Sequence, residues 1–243
     1  MGVGVPGRGP FSYPEGWGVL LPEDPFITVN IHYHKNPGEG TAVEDVTRAG
    51  FLFYEEGEVI DHVVETNLLP HSGWTIPAGH PNYEVNNTFE VKEDIYLLSM
   101  GPHMHYRGKA MRYELEYPDN ERETLLWVPD YDFNWQFLYE YKEPKLIPAG
   151  STLHMSWWFD NSEGNRFNPD PTASVQYGPA TTDEMANARI YYAPTAPRGI
   201  VVGEPLPEDV LARARREDSL RRERTNLFDP SVDDFSWLEE DSK

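Results

Sequence analysis

The residues best suited to chemistry stand together in Pro102-His103-Met104-His105-Tyr106-Arg107-Gly108-Lys109. They follow Asp94-Ile95-Tyr96-Leu97-Leu98-Ser99-Met100, an apolar run that reads as a strand. If the strand continues through the histidines, His103 and His105 point to one face, because side chains alternate with period two. Two imidazoles on one face can chelate one metal ion. Gly108, with no Cβ, lets the chain turn close to them. Alone, a His-x-His is more often a pair of surface histidines at a strand end, so the rest of the chain decides its weight.

A second His-x-His occurs in Phe26-Ile27-Thr28-Val29-Asn30-Ile31-His32-Tyr33-His34. Ile27, Val29, Ile31 and Tyr33 form an apolar face, and Thr28, Asn30, His32 and His34 a polar one. A polar outer strand face explains His32 and His34 as well as a metal site does. The remaining histidines are at 62, 71, 80 and 154.

Other chemistries are excluded. There is no cysteine, hence no disulfide, thiolate metal site or cysteine nucleophile. Gly4 to Gly9 does not sit between a strand and a helix, so it is no phosphate loop, and no Gly-x-Ser-x-Gly elbow exists. A cupin site wants a Glu four or five residues after the second His, where this chain has Lys109 and Ala110. It also wants a His three residues after Pro-x-Gly, but His154 lies four after Gly150. That slip of one turns the side chain to the opposite face.

The positioning elements read as strands. Candidates are 58–66, 84–91, 94–105, 110–117, 123–128, 133–142, 151–159, 173–177 and 187–193, with earlier ones at 26–34 and within 46–54. Pro70, Pro77-Ala78-Gly79, Pro118-Asp119-Asn120, Pro148-Ala149-Gly150 and Asn168-Pro169-Asp170-Pro171 separate them. Many short strands with regular turn signals predict an all-β, antiparallel β-sandwich or barrel. Ile76-Pro77-Ala78-Gly79 and Ile147-Pro148-Ala149-Gly150 look alike, but their surroundings differ, so no repeat is assigned. The one helix expected is 206–224, opened by Pro207, Glu208 and Asp209, with a thin apolar stripe of Val210, Leu211, Ala214 and Leu220. It reads as a solvated appendage, followed by an acidic tail from Asp233.

The chain of 243 residues is long enough for a sizeable core, and 39% hydrophobic content with 13% aromatics favours a folded protein. A net charge of −21 argues against nucleic acid or an anionic membrane surface as partner. No apolar run approaches a membrane-spanning length, so no membrane insertion is expected. Met1 to Pro10 is Gly- and Pro-rich and does not read as a signal peptide.

Five segments occur in an order that resembles the bacterial relatives of the copper type II, ascorbate-dependent monooxygenases. They are Pro102 to Lys109, Tyr131-Asp132-Phe133-Asn134-Trp135-Gln136, Asp160-Asn161-Ser162, Asn168-Pro169-Asp170-Pro171 and Thr182-Asp183-Glu184-Met185. Peptidylglycine alpha-hydroxylating monooxygenase and dopamine beta-monooxygenase are the animal members. The likeness covers about residues 57–193 and corresponds to that family's second, catalytic domain. It implies a jelly-roll-like β-sandwich at 57–200. Residues 1–56 would be the C-terminal remnant of a first copper-binding β-domain, and 201–243 a helical and acidic tail.

The resemblance also implies a ligand set. His103 and His105 match the two histidines and Met185 the thioether of the oxygen-activating copper. Imidazole and thioether are borderline-to-soft donors, and a thioether favours Cu(I) over hard cations. Three protein ligands leave a coordination position open. On the residues alone Met185 competes with Met100, Met104, Met111 and Met155, and most methionines pack in cores. The family's first domain binds a second copper through an adjacent His-His pair and a later His in a His-Tyr strand. Ile31-His32-Tyr33 resembles that strand, so His32 is the matching ligand and His34 an unaligned neighbour; the His-His pair is absent from this sequence. Tyr106, Arg107 and Gln136 are further candidates for the cleft, each equally readable as a surface or supporting residue.

The expectation is a copper-dependent monooxygenase that hydroxylates a C–H bond of a small-molecule or peptide substrate with dioxygen and an external reductant. The alternative is a non-catalytic copper-binding or interaction module. The resemblance points to a periplasmic or extracellular setting.

Overall fold

Alternation builds the strands. In Thr152–Phe159, the side chains of Leu153, Met155, Trp157 and Phe159 are buried, while Thr152, His154 and Trp158 are only partly covered. The cross-strand partners of Trp157, Met155 and Leu153 face the core in Gly108–Glu116, through Met111, Tyr113 and Leu115. Such one-sided strands must bury their apolar faces against a second layer.

The computed structural model describes residues 12–21, 46, 48 and 50–225, with the side chains of 217–225 excepted. In chain order the strands are β1 Trp17–Gly18, β2 Val59–Ile60, β3 His62–Val63, β4 Glu65–His71, β5 Thr75–Ile76, β6 Tyr83–Glu90 and β7 Ile95–His103. They continue with β8 Gly108–Glu116, β9 Arg122–Val128, β10 Tyr139–Ile147, β11 Thr152–Phe159, β12 Val175–Gln176, β13 Ala186–Pro194 and β14 Ile200–Val201, followed by helix α1 Glu208–Thr225. Two four-stranded antiparallel sheets dominate, ordered β10-β7-β13-β4 and β6-β11-β8-β9. The chain crosses between them at β6–β7, β7–β8, β9–β10 and β10–β11, a jelly-roll-like sandwich of the expected class. Its core takes Met104 from just past the end of β7, and Ile95, Leu97, Met100, Ala188 and Ile190 from the first sheet. The second supplies Val85, Met111, Tyr113, Leu115, Met155, Trp157 and Phe159.

Two compact units are distinguished. One takes its described residues from Met1–Val19 and Asp61–Arg198 and contains the sandwich, with β1 pairing β3 in parallel. The other takes its residues from Leu20–Ile60 and Gly199–Lys243 and contains the β2–β14 pair and α1.

Several strand boundaries differ from the sequence reading. Residues 129–138 form no strand, and the expected strand at 133–142 lies instead at β10. The segment 58–66 is split into β2, β3 and the start of β4. Pro70 is no separator but sits inside β4, where the missing N–H is tolerated because β4 is an edge strand. Residues 50–54 form no strand, and 26–34 lies outside the described residues. Asn120, with φ 68°, makes the β8–β9 turn where Pro118-Asp119-Asn120 signalled one. In α1, Leu211 N–H donates to Pro207 O, and Val210 is buried, so this turn is not wholly solvated.

Candidate metal centre

β7 leaves its ladder at the first histidine: its last pairing with β13 is Asn187 opposite His103. On the other side, β10 pairs with β7 only as far as Met100. The main chain beyond must find other partners, since buried N–H and C=O groups are nearly always bonded. The Tyr131 hydroxyl accepts from Met104 N–H at 3.1 Å and donates to Met104 C=O at 2.8 Å. Glu184 accepts from His105 N–H at 2.8 Å and from Arg107 N–H at 2.6 Å. His105 C=O accepts from Gly108 N–H, and Arg107 C=O from Asp160 N–H. Side chains thus hold the motif where the sheet ends.

Glu184 is fully buried and also accepts from Met185 N–H at 3.2 Å. Burial pushes its carboxyl up to about 7, against the pull of three backbone donors and the Arg107 charge. Arg107 is itself 2% exposed, and burial draws its guanidinium below the ordinary value, opposed by Glu184, Asp170 and Asp183. Its Nε donates to Asn161 Oδ1 at 2.7 Å and its Nη1 to Thr182 C=O at 2.7 Å. Arg107 therefore braces the loop before Glu184 from inside the protein and does not line a cleft. Asn161, also fully buried, donates to the carbonyls of Pro77 and Ala173.

The two imidazoles stand with ring centroids 5.3 Å apart and nearly perpendicular. His103 Nδ1 lies 2.6 Å from Gln136 Oε1, and Gln136 Nε2 donates to Phe133 C=O, which fixes the amide with its oxygen toward the ring. His105 Nδ1 lies 3.3 Å from Asp183 C=O. Both Nδ1 atoms face acceptors, so each carries its proton and the lone pair sits on Nε2. This is how supporting hydrogen bonds orient metal-binding histidines. Phe133 packs edge-on against His105 at 6.0 Å and against Tyr106 at 4.9 Å.

Met185 adjoins the pair through the main chain, since its N–H and that of His105 share Glu184 Oε2. The Asn187 amide lies 3.2 Å from the Met185 sulfur. The competing methionines are accounted for otherwise: Met100, Met104, Met111 and Met155 are all buried in the sandwich core. Met185 is only partly buried.

Among the described residues, no three His, Asp or Glu side chains converge as a metal site. His62 packs against Trp17 and bonds Pro194 C=O, His80 accepts from Asn82 N–H, and His154 lies 3.2 Å from the Glu116 carboxylate. His32 and His34 lie outside the described residues. Tyr131, Glu184, Asn161 and Asn187 were not anticipated as site residues. Three of them belong to the segments that carry the family resemblance, but no spacing rule marks a buried carboxylate or a clamping phenol.

The chain is 27% identical to DBH-like monooxygenase protein 1 of Mus musculus over 210 residues, covering 79% of this chain and 32% of that protein. Against DBH-like monooxygenase protein 1 of Homo sapiens it is 25% identical over 199 residues, covering 76% and 31%. This chain is a distant relative of the DBH-like monooxygenase proteins. It spans only about a third of their length. No family model matches the chain. A chain of the structure of infectious bursal disease virus Gt strain aligns over 75% of this chain and 55% of its own, with 9% identity and a TM-score of 0.21. Among the described residues no helix is long and apolar enough to cross a membrane.

Proposed function

We propose that His103, His105 and Met185 hold one copper ion and that the chain takes part in monooxygenase chemistry. The overall reaction is a substrate C–H bond, dioxygen, two electrons and two protons giving an alcohol and water. The observation that carries the reading is the sorting of side chains at the end of β7: both Nδ1 atoms engaged, and the one described methionine outside the core bonded through its N–H to the same Glu184 oxygen as the His105 N–H. Imidazole and thioether together suit copper, and the sulfur favours the reduced ion. Bound copper would supply one-electron transfer and oxygen activation. Gln136 and the Asp183 carbonyl hold the imidazole protons at Nδ1, and Glu184 ties the His105 and Met185 main chains together. The Phe133 ring walls one side of His105 and is backed by the Tyr106 ring.

Residues 1–56 are read as the last part of a preceding copper-binding β-domain, with His32 as one ligand of an electron-supplying copper. A second reading is a copper-binding module without turnover. The reading implies a setting outside the cytoplasm, a small-molecule or peptide substrate and an external reductant.

Copper X-ray absorption on the reduced protein tests the site. A sulfur scatterer is expected in the wild type and absent in Met185→Ala, with Cu(I) binding weakened more than Cu(II). Absence of sulfur in the wild type would return His103 and His105 to a surface pair. Sulfur without oxygen consumption under any reductant would select the non-catalytic module.

A further inference from the structure

We infer that Tyr131 is a positioning residue that sets the spacing and relative orientation of His103 and His105; its bearing on metal binding rests on the copper reading above. Met104 separates the two histidines, and the peptide groups on either side of it join it to them. The Met104 N–H belongs to the peptide shared with His103, and its C=O to the peptide shared with His105. One phenol oxygen is bonded to both, at 3.1 and 2.8 Å. Tyr131 thereby fixes both peptide planes, and with them the directions in which the two imidazoles leave the chain.

No strand does this work. On the β10 side, pairing with β7 stops at Met100, and residues 129–138 fold back as a loop. The Tyr131 hydroxyl stands in for the missing neighbour strand, acting as donor and acceptor to one residue as a ladder partner would. The phenol is itself held in place. Tyr131 N–H donates to Lys109 C=O at 2.9 Å. Its ring fills the space above Gly108, where a Cβ would come within 2.8 Å of the ring. Burial raises its pKa well above the ordinary value, so the hydroxyl keeps the proton it donates. The Met104 side chain, fully buried in the core, anchors the same residue from the opposite face.

The Tyr131→Phe variant keeps the ring and removes only the two hydrogen bonds. A core variant at the far end of β8, Leu115→Ala, serves as the control for general destabilisation. Cu(I) affinity is measured by competition with a chromogenic chelator, and Cu(II) geometry by electron paramagnetic resonance. Histidine ring resonances are recorded on the metal-free proteins by nitrogen-15 NMR. For Tyr131→Phe we expect Cu(I) affinity to fall about 10-fold or more, the range lost with outer-shell partners. The Cu(II) spectrum should split or broaden, and the His103 and His105 resonances should move while His154 stays. Leu115→Ala should lower the unfolding midpoint and leave these signals in place. Unmoved His103 and His105 resonances with unchanged Cu(I) affinity in Tyr131→Phe would overturn the inference, as would equal effects in Leu115→Ala. If the wild type binds no copper, the copper reading fails by itself, and the resonances of the metal-free protein decide the role of Tyr131.

Discussion

Gly108→Ala is expected to cost the protein both stability and the geometry of the histidine pair. A Cβ at 108 would sit 2.6 Å from Met104 Cβ and 2.8 and 3.0 Å from two carbons of the Tyr131 ring. Neither neighbour yields easily. Met104 Cβ is fixed to a backbone bonded on both sides, and the Tyr131 ring is pinned by its hydroxyl and its own N–H. Overpacking of this kind costs about 1–3 kcal/mol. If the ring retreats instead, the Met104 N–H and C=O lose their partner, at about 1–3 kcal/mol for a buried group left unsatisfied. The smaller entropy of the unfolded alanine chain returns about 0.4–1 kcal/mol. The net expectation is destabilisation of about 1.3 kcal/mol, from one methyl group. With a urea slope of about 2 kcal/mol per molar, the unfolding midpoint should fall by about 0.7 M. Gly164→Ala is the internal control, since its Cβ would meet nothing closer than Ser162 Oγ at 3.4 Å, and it should be neutral within about 0.5 kcal/mol. If Gly108→Ala matches Gly164→Ala in urea, the loop carrying Tyr131 moves freely and the rigid-clamp reasoning is refuted.

Glu184 binds its proton up to about pH 7 in the native chain, against 4.5 for the ordinary carboxyl. Between those values the native state holds more protons than the unfolded one, so stability is fullest below the lower value and declines as pH rises to about 7. The shift is worth on the order of 3 kcal/mol, and urea midpoints of wild type minus Glu184→Gln across that range should show the decline; parallel profiles would rule it out. Asn161→Ala should destabilise by about 3–5 kcal/mol, since it strips a partner from buried Arg107 and from two buried carbonyls; a loss under about 1 kcal/mol in calorimetry would mean water replaces the amide. Gln136→Leu should weaken copper about 10- to 100-fold while Gln136→Glu, which keeps the acceptor for His103 Nδ1, retains most of it; equal losses in chelator competition would contradict the tautomer argument.

Local pattern was enough for the all-β class, most of the strands and the single described helix, because alternation and turn residues act within a few positions. The same alternation expected the strand to run through both histidines, whereas β7 ends at His103 and His105 lies beyond it. The error at 133–142 has the same origin. Phe133, Trp135 and Phe137 alternate as a strand would, yet Trp135 is 64% exposed and the segment is held as a loop by Tyr131 and Gln136. Pro70 misled because a proline ends a strand only where its N–H is needed, and edge position is a property of the sheet. Which methionine stays out of the core was likewise undetermined by any period. Met100, Met104, Met111, Met155 and Met185 differ in the layer they face, and layers form only when the sheets pack. Glu184 meets the His105 main chain across 79 positions of sequence, and Tyr131 meets Met104 across 27. Periodicity reaches only as far as one element, so the side-chain types of the site were written in the chain, while their partners were decided by strand order and register.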